Sequence, residues 1–191
     1  MSEHCHRSAE SAHATNGATP SRQICAAALC ALLCVAGGSA LGAATVGQPV
    51  PACELHPLQG SQRVALDEFR GSVLYVDFWA SWCRPCAKSF PFLNAIDEEF
   101  RDRGLRVLGV NLDEQVPQAE QFLAKFPARF ALAADPSGRC PRAFGVAAMP
   151  SSYLIDRKGI VRHVHRGFRS DDAAELREMV QGLLSEQLDA R

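Results

Sequence analysis

The chain has 191 residues, 20 Lys+Arg against 21 Asp+Glu and a formal net charge of −1, and no polybasic block, which argues against nucleic acid as a partner. With 47% hydrophobic and 21% charged residues it is too apolar for a disordered chain and too charged for a polytopic membrane protein. Four of the eight cysteines (Cys5, Cys25, Cys30, Cys34) precede residue 45, which leaves Cys53, Cys83, Cys86 and Cys140 for the remainder.

Residues 1–22 are polar, rich in Ser, Ala and His, and without hydrophobic periodicity, so a disordered leader is expected. His4-Cys5-His6 offers too few donors on a flexible tail to hold a metal. No charged residue lies between Arg22 and Glu54; residues 24–36 (ICAAALCALLCVA) are apolar and small residues follow to Ala44. A positive residue, a short apolar run and then small residues is the order of a secretory signal, with cleavage expected after Ala40, Ala43 or Ala44. The apolar run is short of the ~20 residues a transmembrane helix needs, although counting on to Ala44 leaves a membrane anchor open. Leu29 before Cys30 and Leu33 before Cys34 oppose lipidation. The expected organisation is a leader (1–22), a signal peptide or anchor (23–44) and one α/β domain (45–191) in the periplasm, an oxidising compartment where disulfide chemistry is possible.

The domain begins with an extended stretch, 47–51, and a short strand over 62–66, closed by Asp67-Glu68-Phe69-Arg70-Gly71. Residues 72–79 (SVLYVDFW) are β-branched and aromatic on both faces, as a central strand requires. From Cys83 to about Arg103, Phe90, Leu93, Ile96 and Phe100 recur at helical spacing, with a kink expected at Pro91 and a stop at Gly104. A strand over 105–111, a helix over 117–126 and a strand over 130–133 follow, and strand-helix-strand succession implies a parallel crossover. Residues 151–156 and 160–166 read as an antiparallel hairpin about Arg157-Lys158-Gly159, and 171–188 as an amphipathic closing helix.

Trp82-Cys83-Arg84-Pro85-Cys86 falls where the central strand gives way to the long helix. Two cysteines three apart at a helix start can close a small disulfide ring, and the helix dipole and Arg84 favour the thiolate of the first. Pro85 suits a first helical turn, where its missing N–H is not needed. Cys83 is therefore the expected nucleophile and Cys86 the resolving thiol. A structural zinc site would need a second pair of ligands at suitable spacing, and only Cys53 and Cys140 remain, each alone. Asp77 puts a carboxylate inside an apolar strand, a cost that suggests a use unless the side chain reaches solvent.

Residues 76–86 (VDFWASWCRPC) resemble the active-site stretch of the thioredoxin superfamily, with Pro91 at the family's helix kink and 149–156 (MPSSYLID) like its cis-proline segment. The stretch 47–51, the Phe69-Arg70-Gly71 turn and the Asp156-Arg157-Lys158-Gly159 turn narrow the resemblance to exported TlpA/ResA-like thiol-disulfide oxidoreductases. The resemblance implies a thioredoxin-like fold, a central mixed β-sheet flanked by helices. It further implies a cis bond before Pro150, a substrate surface made of Trp82, Met149 and Pro150, and an Asp77 that helps to deprotonate Cys86. Many TlpA/ResA-like members carry Asn at the position of Asp77, and some have a Glu where this chain has Ser89. Ser151 stands where dedicated cytochrome c maturation proteins commonly have Glu.

The expected activity is protein-disulfide oxidoreduction, in the reductive direction, on the disulfides of exported proteins. The dithiol would be recharged by a membrane thiol-disulfide electron donor. No cofactor and no metal are expected, and a monomer is. A copper-delivery module or a thiol peroxidase on the same fold are the alternatives. Cys53 and Cys140 either pair or stay free, and His163 and His165 share a strand face that permits a metal site but reads more simply as a solvated edge.

Overall fold

The computed structural model describes residues 43–58 and 63–186. In chain order the elements are β1 (Glu54–Pro57), β2 (Val64–Ala65), a 3₁₀ turn (Leu66–Phe69), β3 (Val73–Trp79), α1 (Arg84–Phe100), a 3₁₀ turn (Arg101–Arg103), β4 (Leu105–Asn111), α2 (Val116–Lys125), β5 (Ala131–Ala134), α3 (Arg139–Phe144), β6 (Ser151–Ile155), β7 (Val161–Arg166) and α4 (Asp172–Ser185). The strands form one mixed sheet in the order β2-β1-β5-β4-β3-β6-β7. β3 runs parallel to β4 on one side and antiparallel to β6 on the other.

All seven residues of β3 are buried, because its side chains alternate between two apolar layers. Val73, Tyr75 and Trp79 face a layer that includes Phe90, Leu93 and Ile96 of α1, Phe122 of α2 and Val180 of α4. Leu74, Val76 and Phe78 face the other, with Leu55, Phe144 and Tyr153. Close packing leaves no room beside Trp79 at Gly109: a Cβ there would come within 2.9 Å of the Phe130 ring and 3.1 Å of the Trp79 indole nitrogen.

The helix after β3 continues through Pro91 to Phe100, tightens into the 3₁₀ turn and ends at Gly104, whose φ of 96° is the left-handed stop. Other boundaries move by one to three residues. β5 is displaced to 131–134, and the 151–166 hairpin carries an irregularity between Leu154 and Ile155. Two elements escape sequence reading. β1 (ELHP) is a four-residue strand too short for a pattern, held between β2 and β5 and recruited by pairing His56 with Ala134; α3 has six residues, fewer than two helical turns, bounded by Gly138 and Gly145.

The leader (1–22) and the signal or anchor segment (23–44, apart from Ala43 and Ala44) lie outside the described residues, as do Gln62 and Leu188 at the ends of predicted elements. Among the described residues no helix is long and apolar enough to cross a membrane.

Cys53 and Cys140, left open by the sequence, form a disulfide with their Cα atoms 5.4 Å apart. It ties the segment before β1 to α3. Its 87-residue separation closes a long loop, which in the chain-entropy account removes about 4.6 kcal/mol of freedom from the unfolded state. A Cys53→Ser, Cys140→Ser double variant is therefore expected to lose about 2–5 kcal/mol of unfolding free energy in denaturant titration. An unchanged midpoint would show that the bridge does not constrain the unfolded chain.

Candidate active site

β3 ends at Trp79, and residues 80–83 turn directly into α1, the Cys83 N–H donating to the Ala80 carbonyl at 3.0 Å. Cys83 is the N-cap of α1: its Sγ accepts the Cys86 N–H at 3.2 Å, and Pro85 occupies the first turn. The sulfur thus sits at the positive end of a 17-residue helix, where unsatisfied N–H groups stabilise negative charge. Cys83 and Cys86 are joined in a disulfide, Cα atoms 5.3 Å apart. Cys86 is fully buried and Cys83 nearly so.

The turn before the dithiol is held by a carboxylate that sequence reading did not single out. Asp113, buried just past β4, accepts the Ser81 N–H at 2.9 Å, the Ser81 hydroxyl at 2.9 Å and the Asn111 amide at 2.8 Å. Three donors on one buried carboxylate offset its desolvation and fix the backbone leading to Trp82 and Cys83. The available signal was an Asn-x-Asp at the C-terminal end of a strand parallel to β3.

Trp82 is 68% exposed, and Met149 packs against the apolar layer that contains both cysteines. The Met149–Pro150 peptide bond is cis, and Pro150 is buried. Its segment is pinned on both sides: Ser151 Oγ donates to the Ala148 carbonyl at 2.8 Å, Gly167 N–H to the Pro150 carbonyl at 2.7 Å and Tyr153 Oη to the Phe144 carbonyl at 2.9 Å.

Asp77 does not reach solvent at a strand end; it is fully buried in mid-strand, and alternation puts it on the same face as Tyr75 and Trp79. The register places it between Gly109 on β4 and Ser152 on β6. Ser152 Oγ donates to Asp77 Oδ1 at 2.6 Å, and among the described residues Oδ2 has no hydrogen-bond partner. Burial raises the Asp77 carboxyl to about 7, with the Ser152 bond acting in the opposite direction. Burial, and secondarily the Asp77 charge, pushes the Tyr75 phenol up. Ser152 was not among the expected site residues, because nothing in the sequence reveals its register opposite Asp77.

The same row continues to His165, paired with Ser152 across β6 and β7. Its Nε2 lies 3.1 Å from Asp172 Oδ2 at the start of α4. The Arg169 N–H, and then His165, holds the Asp172 carboxyl below its usual range. His163 and His165 belong to no cluster of three or more metal-ligating side chains among the described residues.

Residues 45–183 match the family described as Redoxin. The chain is 27% identical over 130 residues to the thiol-disulfide oxidoreductase ResA of Bacillus thuringiensis subsp. konkukian, covering 68% of this chain and 75% of that one. It is 30% identical over 125 residues to the ResA of Geobacillus thermodenitrificans, covering 65% and 71%. Its structure is similar to a Chlorobium tepidum protein provisionally identified as the thiol:disulfide interchange protein DsbE. The TM-score is 0.70 and the identity 43%, over 73% of this chain and 98% of the other.

The raised carboxyl makes stability depend on pH. Between the ordinary carboxylate value of 3.8 and about 7, the unfolded chain releases the Asp77 proton while the folded chain keeps it. Stability therefore falls across that window, and the loss persists above it. Three pH units of displacement correspond to about 4 kcal/mol. Asp77→Asn is expected to raise the unfolding free energy by several kcal/mol at pH 8 and to change it little at pH 4. Equal increments at both pH values, read from denaturant curves of the oxidised protein, would mean that the carboxyl keeps an ordinary titration.

Proposed function

This chain belongs to the Redoxin family and is a thioredoxin-like thiol-disulfide oxidoreductase of the ResA type; from that premise we propose that Cys83 and Cys86 are its reactive dithiol and that it reduces disulfides of exported proteins. The observation that carries this reading is the Cys83–Cys86 disulfide at the N-terminus of α1, with Cys83 in the cap position. Export rests on the 23–44 segment, and with it the periplasmic location and a membrane electron donor that restores the dithiol.

In the reduced enzyme the Cys83 thiolate attacks one sulfur of a substrate disulfide. A Cys83–substrate bond forms and the other substrate sulfur leaves as a thiolate. Cys86 then gives its proton to the Asp77 carboxylate and attacks Cys83 Sγ. The second substrate sulfur leaves, the substrate has gained two electrons, and the Cys83–Cys86 disulfide is restored. A carboxyl that titrates at about 7 can exchange a proton at neutral pH with a thiol whose ordinary value is about 8.5. Ser152 holds that carboxyl on the sheet face packed by α1. Trp82, Met149 and Pro150 form the apolar surface on which an extended substrate segment docks.

Cys83→Ser is expected to abolish insulin reduction, whereas Cys86→Ser accumulates mixed disulfides that non-reducing gels display. A Cys83→Ser protein that still reduces insulin would remove the nucleophile assignment. The potential of the couple, measured by mass spectrometry of alkylated Cys83 and Cys86 in defined redox buffers, tests the direction. A value near that of thioredoxin, about −270 mV, supports a reductase, and one near about −120 mV makes the protein a disulfide donor.

A further inference from the structure

A cleft of ≈ 360 Å³ opens directly beside Cys83, between the first turn of α1 and one face of α2. Arg84 stands on the α1 wall; Gln118, Gln121 and Lys125 line the α2 wall at positions i, i+3 and i+7, which share one face of a helix. Phe122 closes the base and Phe126, 38% exposed, forms part of the rim. The walls are fixed relative to each other. Asn94 of α1 donates to the Pro127 carbonyl at 2.9 Å and accepts the Arg129 N–H at 2.7 Å, which anchors the chain leaving α2.

Among the described residues the charge of this cleft has one sign: no carboxylate lines it, and neither Arg84 nor Lys125 has a carboxylate within salt-bridge distance, unlike Arg101, Arg129, Arg162 and Arg177. Asp113 approaches through Ser81, but its oxygens are already taken by the Ser81 and Asn111 donors. Two cations, two amide groups able to donate hydrogen bonds and an aromatic rim make a receptor for carboxylates carried on an extended chain with an apolar residue beside them.

We propose that this cleft selects protein substrates whose target disulfide is flanked by Asp or Glu residues. The inference rests on the reading of Cys83 as the attacking thiol, because it is Cys83 that the cleft adjoins. The acidic segment lies along α2 while the Cys83 thiolate displaces one sulfur of the disulfide and the departing sulfur leaves as a thiolate. Unpaired surface cations act mainly on encounter, so the selection appears in the second-order rate constant and weakens with salt.

The test uses the full chain with its dithiol reduced and two synthetic peptides. Each peptide carries one cysteine as a mixed disulfide with 2-mercaptoethanol, flanked by Glu in one and by Lys in the other; 2-hydroxyethyl disulfide is the uncharged control. At low ionic strength the Glu peptide is expected to react about tenfold faster than the Lys peptide, with the ratio collapsing at about 0.5 M salt. Lys125→Glu, remote from the reacting sulfurs, is expected to erase or invert the ratio and leave the rate with 2-hydroxyethyl disulfide unchanged. Equal peptide rates, or a preference that survives Lys125→Glu, with the control reaction intact, would overturn the cleft assignment alone. No reaction with 2-hydroxyethyl disulfide would overturn the role of Cys83 and this inference with it.

Discussion

A strand buried on both faces has to be covered on both faces and paired on both edges, and β3 imposes that requirement on the whole fold. Its edges are taken by β4 and β6, and its two faces divide the apolar side chains into the two layers of the core. The chain can leave such a strand only at its end, and here it leaves straight into α1. The N-terminus of α1, with its unsatisfied N–H groups, is therefore brought to the C-terminal end of the central strand, and Cys83 is the residue that caps it. The position of the dithiol follows from the placement of the strand.

The same burial makes polar groups near the dithiol costly, and two buried carboxylates, Asp113 and Asp77, are each held by a partner from a distant part of the chain. Asp113 holds the Ser81 turn from across the β3–β4 pair. Ser152, from the strand after the cis-proline, holds Asp77. One carboxylate thus fixes backbone geometry and the other keeps a raised affinity for its proton, and their surroundings separate them. Asp113 is saturated with donors, whereas Asp77, in an apolar layer, has one donor among the described residues. The two sulfurs of the Cys83–Cys86 disulfide likewise meet different surroundings. Cys83 opens onto the basic cleft beside α2, and Cys86 is enclosed in the core.

How much of this could be read from the sequence depends on the range of the interactions. The central strand, the long helix with its Gly104 stop, the hairpin and the closing helix announce themselves by periodicity and by local turn chemistry. The Cys83-Arg84-Pro85-Cys86 motif is likewise contained within one helical turn. A four-residue strand and a six-residue helix have too little length to show a period, so β1 and α3 emerge only where pairing with β5 and the Cys53–Cys140 bridge hold them.

The amino-acid sequence by itself determined the α/β class, the placing of a Cys-x-x-Cys pair at a helix start and the presence of a carboxylate in an apolar strand, because each is a property of neighbouring residues. Tertiary structure alone decided that Asp77 is buried rather than solvated, that Ser152 is its donor, that Asp113 holds the Ser81 turn, that Cys53 and Cys140 pair, and that α2 brings Lys125 to face Arg84 beside Cys83. Those contacts join positions tens of residues apart, whose distance is set by strand register and helix packing, and no local pattern records either.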